Sequence, residues 1–197
     1  MRKEIRTITT EIYKFNELTD DAKEKVKGWF LNTQDCETFT DMCEDVLYEK
    51  FKNSKLDVQY SLASCQGDGF NIYGVINFND LLDVLKDDFA DEEKEKLNKY
   101  FEYCNEYKLD ENKRYYYCII DRQDFIEDLI EDMKYDEEEY DENLIEKFNN
   151  LSKQYLCKLC ADFEKDGYDY FYEISDEELE EICESNNYEF TEDGIIY

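Results

Sequence analysis

Hydrophobic side chains recur along this chain with two different periods, and each stretch of constant period marks one element. Ile5, Thr7, Thr9, Glu11 and Tyr13 alternate with Arg6, Ile8, Thr10 and Ile12 in a β-branched run that predicts a strand. Thr19 ahead of Asp20 and Asp21 supplies a helix N-cap with acids in the first turn, and Ala22, Val26, Trp29 and Phe30 then fall on one helical face. A second helix is expected over Cys36–Lys52, with Phe39, Met42, Cys43, Val46 and Leu47 turned to the core. Leu56–Ser64 and Phe70–Phe78 read as strands flanking Gln66-Gly67-Asp68-Gly69, the strongest hairpin signal in the chain.

An amphipathic segment, Asn79–Phe89, and a highly charged helix, Asp91–Tyr107, come next, followed by a strand over Lys113–Ile120 that contains three successive tyrosines. Asp121–Lys134 and Asp141–Phe163 read as helices, the second with Leu144, Ile145, Phe148, Leu151, Tyr155, Leu159 and Phe163 at helical spacing. Gly167 is expected to stop that helix and Tyr168–Ile174 to form a strand. Ser175 with Glu178 makes a capping box for a helix to Ser185, and Tyr188–Phe190 with Ile195–Tyr197 closes the chain as a hairpin. The alternation predicts an α+β fold: an antiparallel sheet with a central β-hairpin at about residues 56–78, packed by several amphipathic, strongly acidic helices. At 197 residues the expectation is a single domain, 1–197, with a near-neutral part over 1–60 and a strongly acidic part over 61–197.

Charge changes the picture most. Against 23 Lys and Arg stand 53 Asp and Glu, a net of −30, and histidine is absent. Residues 1–60 hold 10 bases and 13 acids, residues 61–197 hold 13 and 40, and no base follows Lys165. Such a field opposes direct binding to DNA, RNA or an anionic membrane face, which are read by clustered Lys and Arg. Without imidazole, triads and dyads built on His and zinc sites containing it are excluded within one chain. The 18 Tyr, 13 Phe and 42% hydrophobic residues argue for a folded protein over a solvated acidic tail. The start of the chain carries no apolar signal segment and no stretch approaches the roughly 20 apolar residues of a bilayer span, so the eight cysteines are expected as reduced thiols in a cytoplasmic protein.

Three segments resemble parts of small bacteriophage and mobile-element accessory proteins of unassigned function. They are Tyr13-Lys14-Phe15-Asn16-Glu17-Leu18-Thr19-Asp20-Asp21-Ala22-Lys23, the hairpin Tyr60-Ser61-Leu62-Ala63-Ser64-Cys65-Gln66-Gly67-Asp68-Gly69, and Asn186-Asn187-Tyr188-Glu189-Phe190-Thr191-Glu192-Asp193-Gly194. The resemblance covers 30 of the 197 residues and transfers no catalytic residue. What it implies is a setting, the cytoplasm of a bacterial host, and a class that includes acidic inhibitors of restriction and CRISPR systems.

Two acidic runs are the candidate partner-binding residues: Glu131, Asp132, Asp136, Glu137, Glu138, Glu139, Asp141 and Glu142, then Asp176, Glu177, Glu178, Glu180, Glu181 and Glu184. Like charges three and four apart on a helix repel, so this density works against folding and points to use or to plain solvation. The total of −30 equals the charge of about 15 base pairs at two phosphates each. Asp162, Glu164, Asp166, Gly167 and Glu173 match an EF-hand loop in part, but Glu at position 3, Asp169 at position 8 and a late following helix depart from it. Cys157 and Cys160 form a lone CxxC inside a helix, which lacks the second pair a four-thiolate zinc site needs. No cofactor and no enzymatic activity are expected, and among so many carboxylates nothing singles out a catalytic pair. The sequence thus predicts an acidic inhibitor that occupies the nucleic-acid groove of a basic host protein or ribonucleoprotein, with an antitoxin-like or regulatory binding module as the alternative. A carboxylate enzyme using Mg²⁺ or Ca²⁺ is the third possibility.

Overall fold

The computed structural model describes residues 9–63, 65, 67–111, 118–124, 126–135 and 139–197. It is a mixed α+β fold with a three-stranded antiparallel sheet, in the order β1 (Lys55–Ser61), β2 (Gly69–Asn77), β3 (Glu106–Leu109), and several helices. The chain divides into two compact units, Met1–Asp35 with Tyr168–Tyr197 and, separately, Cys36–Gly167.

In the first unit α1 (Asp20–Leu31) starts where expected, with the Thr19 hydroxyl accepting from the Ala22 N–H. It buries Ala22 and Val26 against Phe15, Leu18, Leu179, Cys183 and Phe190, and Trp29 meets Tyr188 edge-on at 5.5 Å. α7 (Asp176–Asn186) closes on Asn187, whose φ of 55° is the left-handed cap that stops a helix. Of the expected N-terminal strand, residues 5–8 lie outside the described residues, residues 9–12 carry no strand, and Tyr13 alone forms an antiparallel bridge with Phe190. Phe190 in turn bridges to Ile196, so the closing hairpin exists as a single pair around the turn at Thr191–Gly194. Gly194 sits at φ 77°, and a Cβ there would fall 2.4 Å from the Ala22 carbonyl oxygen, which fixes glycine at this turn.

In the second unit α2 (Cys36–Lys50) packs on the hairpin β1 (Lys55–Ser61) and β2 (Gly69–Asn77). Phe39, Cys43 and Leu47, four residues apart, form its buried stripe, which leaves Met42 half exposed at 52% and corrects its expected place in the core. The hairpin pairs Lys55 with Val75 through Ser61 with Gly69. Phe78, expected at the end of a strand, instead begins α3 (Phe78–Val84), because the Asn77 side chain accepts from the Asn79 N–H and caps a helix there.

Helix α4 (Asp91–Tyr100) stops seven residues short of its expected end. The chain turns at Phe101, which is buried against Phe78 and Phe148, and then forms β3 (Glu106–Leu109) on the free edge of β2. The third strand is therefore 106–109, while in the expected strand 113–120 residues 113–117 lie outside the described residues, Cys118 and Ile119 are irregular, and Ile120–Arg122 is a 3-10 turn. α5 (Glu127–Tyr135) begins later than expected, as Asp124 accepts from the Ile126 N–H ahead of it.

The largest correction concerns α6 (Glu142–Tyr172), which runs straight through Gly167 and through most of the expected strand 168–174. Gly167 marks a close approach of side chains, since a Cβ would lie 2.3 Å from Leu62 Cδ1 and 2.9 Å from Phe39 Cζ. Two aromatic groups fill the second unit: Tyr60 stacked on Phe70 with Phe39 and Phe163 against them, and Phe78, Phe89, Phe101 and Phe148 near the start of α6.

Candidate functional site: the acidic runs

The two runs belong to different units. In the second unit Asp136, Glu137 and Glu138 lie outside the described residues, as does the side chain of Asp132. Glu131, Glu139 and Glu142 are exposed. Asp141 is engaged in the fold: its carboxylate accepts from the Leu144 N–H at 3.2 Å as the start of α6, its backbone N–H donates to the Tyr100 hydroxyl, and Lys96 stands 3.6 Å away. Nearby, Glu93 accepts from the Ala90 N–H at 2.8 Å and from Lys147 at 2.9 Å, and the Ala90 N–H and Lys147 hold its carboxyl below the ordinary value.

In the first unit the α7 acids divide by role. Asp176 pairs with Lys27, which lowers its carboxyl. Glu178 closes the capping box, accepting from the Ser175 N–H at 3.1 Å and the Ser175 hydroxyl at 2.8 Å, and these bonds lower its carboxyl too. Glu180 is half-buried and accepts from Asn16 Nδ2 at 2.9 Å. Glu177, Glu181 and Glu184 are exposed and make no side-chain hydrogen bond or ion pair among the described residues. At about 1.5 Å of rise per residue they form one row spaced by roughly 6 and 4.5 Å along the axis. Half of the six α7 acids thus hold the fold and half face solvent.

The sequence reading passed over another group of acids in its near-neutral part. Glu44 on α2 lies near Asp57 on β1 and near Asp41 and Asp45 of its own helix, and burial followed by these three neighbours pushes the Glu44 carboxyl up. Glu44 and Asp45 also line an open cleft of about 340 Å³ with Leu47, Tyr48, Phe51, Ser54, Lys55 and Leu56. Net charge over 60 residues could not reveal them, since the cluster is made by helix spacing plus one strand partner. Tyr73, paired across the ladder with Asp57, has its hydroxyl raised by burial and by Asp57, Glu111 and Glu44.

The EF-hand-like register Asp162–Glu173 falls within α6 up to Tyr172, where successive ligand positions radiate around a helix and cannot converge on one ion. Among the described residues no group of three or more Cys, Asp or Glu is placed to hold a metal ion, and no helix is long and apolar enough to cross a membrane. All eight cysteines are free thiols, with Cys157 and Cys160 inside α6. Comparison with protein-family models, with curated proteins and with solved structures returns no match.

Proposed function

We propose that the chain is a bacteriophage-encoded acidic inhibitor that binds the basic nucleic-acid groove of a host defence complex by electrostatic competition. The observation that carries this reading is the charge imbalance at the level of pairs. If every one of the 23 Lys and Arg neutralised one carboxylate, 30 of the 53 would still have no cationic partner within the chain. On α7 that surplus takes the form of the exposed row Glu177, Glu181, Glu184, whose axial spacings of roughly 6 and 4.5 Å are longer than, but of the same order as, the roughly 3.4 Å axial step between phosphates on one DNA strand. A basic cleft that draws in nucleic acid draws in such a surface by the same field, and association is then fast and sensitive to salt.

The engagement of Asp176, Glu178 and Glu180 in the fold favours a second reading. It breaks the α7 acids into a short row, and an antitoxin-like neutraliser of a basic protein needs no longer one. Competition separates the two. The immobilised protein is used to retrieve its partner from host lysate at low salt, and the partner, once identified, is titrated with its own DNA or RNA in the presence of the chain. The proposal expects mutual exclusion and a steep loss of affinity with salt. A ternary complex of partner, nucleic acid and this protein, formed without loss of affinity, would overturn it.

A further inference from the structure

The thiol of Cys118 lies on the irregular stretch ahead of the 3-10 turn Ile120–Arg122, and it reaches α6 beside both cysteines of the CxxC. Its Sγ is 3.5 Å from Cys157 Sγ, and Cys118 and Cys157 are both half-buried, so small solutes reach them. Cys160, one helical turn on, is buried at 2% and also hydrogen-bonds Cys118; that bond, with burial, keeps its thiol protonated. Cys118 therefore meets the Cys157–Cys160 pair from 39 residues away in sequence, and among the described residues no group of three such side chains is placed to hold a metal ion.

We infer that Cys118 and Cys157 form a reversible disulfide when the protein meets a hydroperoxide, which makes this pair a redox-modification site. Exposure and geometry together select the pair, because Cys160, the other thiol beside Cys118, is buried at 2% whereas Cys157 is half-buried. Cys157 and Cys160 sit three apart on one helix, where Cβ atoms stand about 5–6 Å apart, beyond the roughly 3.5–4.5 Å a disulfide requires. Cys118 is not bound into a helix or strand, and a side-chain rotation with a small backbone shift closes 3.5 Å toward the bond length of about 2.05 Å. Oxidation proceeds in two balanced steps. One sulfur attacks the O–O bond of hydrogen peroxide, giving a sulfenic acid and one water; the other thiol then displaces the sulfenic hydroxyl, forming the S–S bond and releasing a second water. The peroxide is reduced by two electrons, the two thiols are oxidised by two, and a dithiol reductant reverses the change. The closed bond ties Cys118, just ahead of the turn Ile120–Arg122, to α6 across 39 residues of chain.

Peptide mapping tests this directly, because trypsin cuts after Arg114, Arg122, Lys153, Lys158 and Lys165 and so places Cys118, Cys157 and Cys160 in three different peptides. The full-length protein at low micromolar concentration is treated with a modest excess of hydrogen peroxide, alkylated, and its monomer band digested. The expected product is the peptide 115–122 linked to 154–158, two hydrogen masses below the sum of the free peptides, abolished by dithiothreitol and absent from Cys157→Ser. The inference is overturned if oxidation yields only sulfinic or mixed adducts at these cysteines, if Cys118 is found linked to Cys160, or if the crosslinks join other cysteines and leave Cys118 and Cys157 alkylated.

Discussion

At the scale of the residue, Gly167 shows how one missing side chain organises its surroundings. A glycine inside a helix lowers its propensity by about 1 kcal/mol relative to alanine, so replacing it would ordinarily stabilise α6. Here the added methyl would overlap Leu62 Cδ1 and the edge of the Phe39 ring. Leu62 ends in a flexible branch, but Phe39 is 2% exposed and held by edge-on contacts with Tyr60 and Phe70 at 5.3 and 6.5 Å, so its ring has little room to retreat. Overpacking of this kind costs about 1–3 kcal/mol and exceeds the propensity gain. Gly167→Ala should therefore lower the midpoint of urea unfolding, and Gly167→Ala combined with Leu62→Val should recover part of the loss. A single variant more stable than the parent would show that the notch is slack.

At the scale of the element, α7 separates acids that fold the protein from acids that face outward. Its last turn carries no basic residue, so Glu181 and Glu184 oppose the helix dipole as well as each other. Glu181→Lys with Glu184→Lys should raise the melting temperature, whereas Glu178→Lys should lower it by opening the capping box with Ser175. Circular dichroism melts check both signs, and equal shifts would mean that these carboxylates do not differ in role. The same helix indicates why parts of the fold were readable in sequence. Capping chemistry is local, so Thr19 for α1, Ser175 for α7 and the glycine-bearing turn of the β1–β2 hairpin all declared themselves within a few residues. Partnership across the chain is not local. Nothing near Gly167 announced that Phe39 and Leu62 would pack against it, and Glu106–Leu109 is too short for its alternation to stand out beside the helical pattern of α4. Among the candidate site residues the charge was legible, and so in principle was the cap that Asp141 makes with Leu144 three residues on, while the assignment of Asp176 and Glu180 to structural bonds depended on Lys27 and Asn16 in three dimensions.

At the scale of the whole molecule, a charge of −30 makes stability a function of pH and salt. Two opposing sets of carboxyls set the curve. Asp176, with its Lys27 ion pair, and Glu178, with its Ser175 bonds, have folded pKa values below the ordinary 3.8 and 4.5. Each stabilises the fold fully above its ordinary value, and that contribution disappears as the pH falls through the lowered one. Glu44 works in the other sense: burial, then Asp57, Asp41 and Asp45, raise its pKa above 4.5, so its charged form opposes folding and protonation relieves the strain as the pH descends through the raised value. The melting temperature should therefore climb as the pH is lowered from 7 to about 5, pass through a maximum, and fall below about pH 4 as the Ser175–Glu178 and Lys27–Asp176 interactions are protonated away. Glu44→Gln should flatten the rise on the neutral side without moving the acid limb, and Glu178→Gln should do the reverse. Adding salt at pH 7, where the screening length shortens to about 3 Å at 1 M, should reproduce much of the gain seen on acidification. A melting temperature indifferent to both salt and pH between 7 and 5 would mean that the carboxylates are too well solvated to repel one another. The imbalance behind the proposed electrostatic competition would then exert no measurable force within the molecule itself.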